Sequence, residues 1–238
     1  MYLLTRPRPK AATSQQAFTD AGVRVTTLAP VDIQWLQAGI QQFSHLAQAR
    51  PLPDCIIFTS TFACEACTET LRTLDPTIAV IAVGDSTARC LQKLGVHARV
   101  PEEHTTEGLL ALSELKNVKD KSILIIKGEG GRTTLLEQLE KPGAYVKAVT
   151  VYQRVVLNKP LETNLWHWPN VKGIIATSGE MAGHLFAYYD NDALRQQPWV
   201  TVSERVAQSL REMGVTKVAV CHGASDRALI QWVKDNWE

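Results

Sequence analysis

The sequence has almost no surplus charge: 25 lysines and arginines against 24 aspartates and glutamates leave +1 across 238 residues. That removes the general electrostatic case for nucleic acid or an anionic membrane as partner, though a local cationic cleft stays open. No apolar run approaches the roughly 20 residues of a membrane span. The opening Met1-Tyr2-Leu3-Leu4 is cut short by Arg6, too soon for a signal peptide, so a cytoplasmic location is expected. Cysteines are few and odd in number, and the five read as free thiols. One pair, Cys64-Glu65-Ala66-Cys67, has redox or metal spacing. It lacks a second pair, and Phe62, Ala63, Ala66 and Leu71 around it suit a helix face.

Familiar catalytic signatures are missing as well. His45, His97, His104, His167, His184 and His222 form no pair at helical metal spacing, and Ser178-Gly179-Glu180 lacks the glycines of a nucleophile elbow. The stretch Lys127-Gly128-Glu129-Gly130-Gly131-Arg132 has neither phosphate-loop spacing nor the third glycine of a dinucleotide fingerprint. Covalent hydrolysis is thereby disfavoured and nucleotide binding weakly supported. No Ser/Gly linker or charge run marks a domain border, and 116–121 reads as a polar turn. The 45% hydrophobic and 21% charged composition belongs to a globular chain, long enough for one large or two modest domains.

What the sequence does have is an internal repeat. Ile-Ile-Phe-Thr-Ser at 56–60 returns as Ile-Ile-Ala-Thr-Ser at 174–178. Residues 82–88 align with 201–207, and Gly95-Val96 aligns with Gly214-Val215, at an offset of 118 to 119 throughout. Upstream, Leu3-Leu4-Thr5-Arg6 corresponds to Ile125-Ile126-Lys127-Gly128. Each half therefore reads β-α-β followed by β-α-β-α-β, and the two should form similar lobes with a cleft between them. Apolar Val- and Ile-rich runs at 2–4, 23–28, 55–59, 78–83, 122–126, 145–151, 173–176, 199–202 and 217–220 alternate with helical patterns, as in buried parallel strands with crossover helices. Gly22, Gly95, Gly143 and Gly214 stand where helices need a left-handed cap. The extended segments 28–35 and 149–157 are longer than one domain needs. They predict discontinuous lobes: 1–30 with 156–238, and 36–148, joined by strands at 31–35 and 149–155.

In open parallel sheets ligands bind beyond the carboxyl ends of the strands. Those positions hold Thr5 and Arg6; Thr59 and Ser60; Gly84, Ser86 and Thr87; Lys127, Gly128 and Arg132; Thr177 and Ser178; and Ser203. Each Ser or Thr alone reads as a helix N-cap. Together, hydroxyls, glycines and cations at equivalent ends of two lobes suit a polyanionic ligand, and Lys127 and Arg132 fit carboxylates as well as phosphates. Tyr152, in Val-Tyr-Gln-Arg on the crossover segment, is either a packing ring or a proton donor.

The ordered set Leu4-Thr5-Arg6-Pro7, Phe58-Thr59-Ser60 with Ala63, Ala82-Val83-Gly84 with Thr87-Ala88, Thr106-Glu107-Gly108-Leu109-Leu110, Lys127-Gly128 with Gly131-Arg132, Val151-Tyr152-Gln153-Arg154, Thr177-Ser178 and the tail 224–229 resembles the uroporphyrinogen-III synthase family nearly end to end. The resemblance implies two flavodoxin-like or Rossmann-like lobes joined by a two-stranded connection. It implies a cofactor-free lyase that turns hydroxymethylbilane, a linear tetrapyrrole with eight carboxylates, into uroporphyrinogen III with the last pyrrole inverted. Because that substrate loses its hydroxyl and cyclises unaided to the uninverted isomer, the protein's task is chiefly to hold a bent pose that leads through a spiro intermediate. Tyr152 would assist departure of the hydroxyl, since a phenol is protonated at neutral pH. Two positions depart from the family pattern. Ser203-Glu204-Arg205-Val206-Ala207 stands where Gly-Pro-Thr-Thr-Ala is common, with Arg205 as a cation in place of hydroxyls, and Lys127 replaces the usual arginine.

Two alternatives share most of these features: a two-lobed protein that binds an anionic small molecule without catalysis, and a nucleotide-dependent enzyme. Few apolar stripes are evident for a partner chain, so a monomer is expected.

Overall fold

A computed structural model describes residues 1–103, 105–130 and 134–238 and has the α/β architecture with parallel strands that the sequence predicts. The chain begins β1 (Tyr2–Thr5), α1 (Arg8–Asp20), β2 (Val25–Trp35), α2 (Gln37–Gln48), β3 (Cys55–Phe58), α3 (Thr61–Ala66), α4 (Thr68–Arg72), β4 (Ala79–Ala82) and α5 (Asp85–Lys93). Short helices α6 (Thr106–Leu110) and α7 (Ser113–Lys116) lead to β5 (Ser122–Gly128), α8 (Thr134–Glu140) and the long β6 (Tyr145–Glu162). A 3-10 turn at Trp168–Asn170 precedes β7 (Gly173–Ala176), α9 (Gly179–Tyr188), α10 (Asn191–Gln196), β8 (Trp199–Thr201), α11 (Glu204–Glu212), β9 (Val218–Val220) and α12 (Asp226–Asn236).

Contacts divide the chain into two units, Met1–Ile33 with Val155–Glu238, and Gln34–Arg154. In the first, the strand order is β2-β1-β7-β8-β9, parallel throughout. Successive residues of a strand face opposite sides. Leu3 accordingly joins Ala176, Leu185, Trp199 and Leu210 on one face, while Tyr2 and Leu4 join Phe18, Val200, Leu229 and Val233 on the other. A sheet covered on both faces needs apolar residues at every position, and β1 and β7 are buried along their whole length.

In the second unit the order is β6-β5-β3-β4, again parallel. It is the same arrangement as β2-β1-β7-β8, which gives the sequence repeat its structural meaning. Ile57, Ile81, Ile123 and Ile125 pack on Leu109, Leu115, Leu135 and Leu139. The repeat extends to the helix starts: Ser60 and Ser178 have nearly identical extended backbones and accept hydrogen bonds from the amides of Ala63 and Met181 at 3.1 and 3.2 Å. Gly95 and Gly214, at equivalent helix ends, both take positive φ, 83° and 90°.

The expected last strand of the first copy is much reduced. In place of a counterpart to β9 there is an isolated bridge between Ile81 and Arg99. Two hydrogen bonds hold it, from Arg99 N–H to Val80 at 2.9 Å and from Ala82 N–H to Arg99 at 2.8 Å. Arg99 puts a polar side chain where β9 has the run Val218-Ala219-Val220, and Pro101 cannot donate to a ladder.

Close packing of α2 on β6 depends on Gly39, where a Cβ would lie 1.8 Å from the carbonyl oxygen of Thr150. Backbone atoms cannot move aside cheaply, so Gly39→Ala should destabilise the protein by about 3 kcal/mol, at the upper part of the overpacking range. Urea unfolding of the two proteins measures this. A change below about 0.5 kcal/mol, the scatter of neutral surface changes, would show that the helix does not seat this closely.

Candidate functional site

The second unit holds a cavity of about 550 Å³ at the carboxyl ends of β3 and β5, within the size range of small-molecule sites. Val83, Leu109, Ile125, Leu135, Leu136 and Ala148 supply apolar surface, while Thr59, Ser60, Thr105, Thr106, Lys127, Glu107, Glu129 and Arg154 bring polar groups. Gly128, Gly130 and Tyr152 complete the described lining. It therefore combines flat apolar area with two cations, two carboxylates and several hydroxyls. That mixture suits an organic ligand carrying anionic arms better than a bare anion.

Tyr152 enters because the β5–β6 pairing slips. Ile126 pairs with Val149 and Lys127 with Thr150, but Gly128 pairs with Tyr152, so one extra residue is taken up on β6. The irregularity turns the tyrosine ring onto the backbone of Gly128, where a Cβ would lie 2.4 Å from Cζ and 2.7 Å from the phenolic oxygen. Phe62 at 5.7 Å and Trp35 at 6.4 Å hold the ring by edge contacts, and the Arg154 guanidinium lies 5.8 Å from its centre. The ring is 2% exposed. Its hydroxyl oxygen accepts a hydrogen bond from Ser60 Oγ at 3.0 Å.

Of the residues singled out in the sequence, Thr59, Ser60, Lys127, Gly128 and Tyr152 thus converge on one cavity. Thr59 Oγ1 also donates to the Ile126 carbonyl at 3.2 Å. Gly84 caps α5 in an extended conformation, Thr87 is buried in its first turn, and Ser86 accepts from Arg89 at 3.2 Å. These lie after Val83 rather than on the described lining. Arg132 falls outside the described residues.

The remaining candidates belong to the first unit. Thr177 Oγ1 donates to the Thr5 carbonyl at 2.8 Å, and its amide donates to Thr5 Oγ1 at 3.0 Å. Arg6 is 8% exposed and donates to Asp226 at 2.5 Å and to the Ala224 carbonyl at 3.1 Å. Ser14 donates to the other Asp226 oxygen. Ser178 and Ser203 cap α9 and α11. Arg6 is therefore an internal partner of the last helix, an ion pair between residues far apart in sequence.

Arg154, Glu107, Glu129, Thr105 and Thr106 reach the cavity without having been singled out as ligand residues. Arg154 follows Tyr152 in the Val-Tyr-Gln-Arg segment, and a basic residue two positions along the same strand was the signal available. Cys64 and Cys67 are buried. Hydrogen bonding to Cys90 and burial push the Cys64 thiol up, and burial pushes Cys67 up to about 12, so neither supplies a thiolate near neutral pH.

The chain matches the family model HEM4, uroporphyrinogen-III synthase HemD, over residues 12–231. It is 35% identical over 158 residues to a protein named uroporphyrinogen-III synthase from Salmonella typhimurium, and 32% identical over 158 residues to its namesake in Escherichia coli. Each match spans 63% of this chain and only 64% of the relative's length. Among solved structures, uroporphyrinogen-III synthetase from Helicobacter pylori superposes with a TM-score of 0.60 at 17% identity, and a mutant uroporphyrinogen III synthase from Thermus thermophilus with 0.58 at 14%, each over 98% of both chains. At such identities these two establish a shared fold. The family model covers nearly the whole chain, and the protein belongs to the uroporphyrinogen-III synthase HemD family.

Proposed function

We propose that the protein is a cyclising hydro-lyase that converts hydroxymethylbilane to uroporphyrinogen III with loss of water and inversion of the last pyrrole ring. The observation that carries the reading is the convergence of Tyr152, Ser60, Thr59 and Lys127 on one cavity with an apolar floor. Pyrrole rings match the apolar surface, and their acetate and propionate arms match Lys127, Arg154 and the hydroxyls. The Tyr152 phenol gives its proton to the departing hydroxyl as the carbon–oxygen bond breaks, and water leaves. The remaining task is to hold the linear tetrapyrrole bent while the last ring attacks, which is positional. No metal or organic cofactor enters these steps.

The two contact units support lobes at 1–30 with 156–238 and at 36–148, with 31–35 and 149–155 as connecting strands. Thr5, Arg6, Gly84, Ser86, Thr87, Gly128, Arg132, Thr177, Ser178 and Ser203 complete the proposed substrate contacts. Arg6 would take part only on release from Asp226. The working picture is a cytoplasmic monomer; among the described residues no helix is long and apolar enough to cross a membrane.

The direct assay incubates freshly made hydroxymethylbilane with the protein and separates the isomers. Isomer III should form, whereas isomer I alone at the spontaneous rate would mean a binding protein. Tyr152→Phe should keep the fold and the inverted product but lower turnover by roughly 10- to 100-fold. That is below or at the low end of general-acid effects, because the substrate is labile by itself. Turnover at the parent rate would make Tyr152 a packing residue.

Lys127→Ala should raise the apparent KM about 3- to 10-fold with kcat little changed, as expected for one charge-assisted contact, and added salt should weaken the parent in the same sense. An unchanged KM at every salt concentration would remove Lys127 from the binding set.

A further inference from the structure

Ser60 uses one hydroxyl for two purposes. Its backbone is extended at φ −161°, and Oγ accepts the Ala63 amide proton at 3.1 Å, starting α3. The same oxygen donates to the Tyr152 phenol at 3.0 Å. A serine hydroxyl has one proton to give. Spent on Tyr152, it is not available for a substrate carboxylate.

The repeat supplies the comparison. Ser178 has the same backbone, φ −163°, and the same kind of cap bond to Met181. The strand β2, which stands to β1 as β6 stands to β5, reads Val-Thr-Thr-Leu-Ala-Pro-Val-Asp-Ile-Gln-Trp and has no tyrosine. Capping is common to both units, and the bond to a phenol is added in the second alone.

Gly128, Phe62 and Trp35 fix the ring of Tyr152, but the phenolic proton can still rotate about its carbon–oxygen bond. A hydrogen bond received from Ser60 occupies one side of that oxygen and turns the phenol's own proton to the other. We infer that Ser60 is a positioning residue: it holds the Tyr152 oxygen as acceptor, so that the phenolic proton is directed away from α3 and into the cavity both residues line. This role rests on the cyclisation proposed above, and it moves Ser60 from substrate binding to orientation of the acid.

The test is steady-state kinetics with hydroxymethylbilane on the full chain, for Ser60→Gly, Ser60→Thr, Tyr152→Phe and the double variant Ser60→Gly/Tyr152→Phe. Glycine is tolerated at helix N-caps, so Ser60→Gly removes the hydroxyl at small cost to folding, and Ser60→Thr restores it. Thermal melts of all four check that each is folded. Ser60→Gly should lower kcat by about 5- to 20-fold with KM within about 2-fold, Ser60→Thr should recover most of the loss, and Ser60→Gly should cost less than about 2-fold in the Tyr152→Phe background. A raised KM with unchanged kcat would make Ser60 a substrate contact and overturn the inference. Equal losses in both backgrounds, or parent kinetics for Ser60→Gly while Tyr152→Phe is impaired, would also overturn it and leave the acid role of Tyr152 standing. Parent kinetics for Tyr152→Phe itself would remove both.

Discussion

One register shift governs the candidate site. If β6 continued its pairing with β5 without a slip, the residue opposite Gly128 would be Val151 in place of Tyr152. Because successive side chains alternate in direction, a slip of one residue exchanges what faces the sheet's two sides. The tyrosine ring then needs a position beside it with no side chain, and Gly128 provides that. Everything else at the site follows from this contact. Ser60 meets the phenol because α3 starts beside Gly128, and Arg154 follows two residues along the same strand.

The two units show how one arrangement can be closed or left open. At the end of β1, Arg6 is buried against Asp226 and Ala224 at the start of α12. At the matching end of β5 stand Lys127 and Gly128, which line a cavity. Burying an unpaired guanidinium is costly, so the first unit must carry Asp226, with Ser14 donating to its second oxygen. Lysine and glycine impose no such requirement. The two copies thus differ in a few residues at the strand ends, while the apolar strands stay nearly the same.

The strands and the repeat were legible because burial on both faces writes itself as continuous Val and Ile runs, as in β3 and β7. The last strand of the first copy is expected from the repeat alone, through the alignment of Gly95-Val96 with Gly214-Val215, but the polar Arg99 and Pro101 leave one bridge. Thr59, Ser60 and Lys127 could be found because ligands bind beyond strand ends, and Tyr152 because it stands in Val-Tyr-Gln-Arg on the crossover segment. Glu107 and Glu129 could not be assigned to the cavity, since they arrive from α6 and the turn after β5. Asp226 as the partner of Arg6 was invisible for the same reason, the pair being separated by nearly the whole chain. Nor does a sequence reveal a strand slip, because the slip depends on which residues of β5 and β6 pair.

The most direct measurement of the site is a crystal structure of the protein with uroporphyrinogen III bound. The product should lie in the cavity of the second unit, with a ring carboxylate at hydrogen-bond distance, about 2.7–3.2 Å, from Lys127 Nζ. Tyr152 Oη should face the methylene bridge next to the inverted ring while still accepting from Ser60. A product bound away from Lys127, with Tyr152 enclosed by protein and touching no part of it, would contradict the assignment of this cavity as the reacting site.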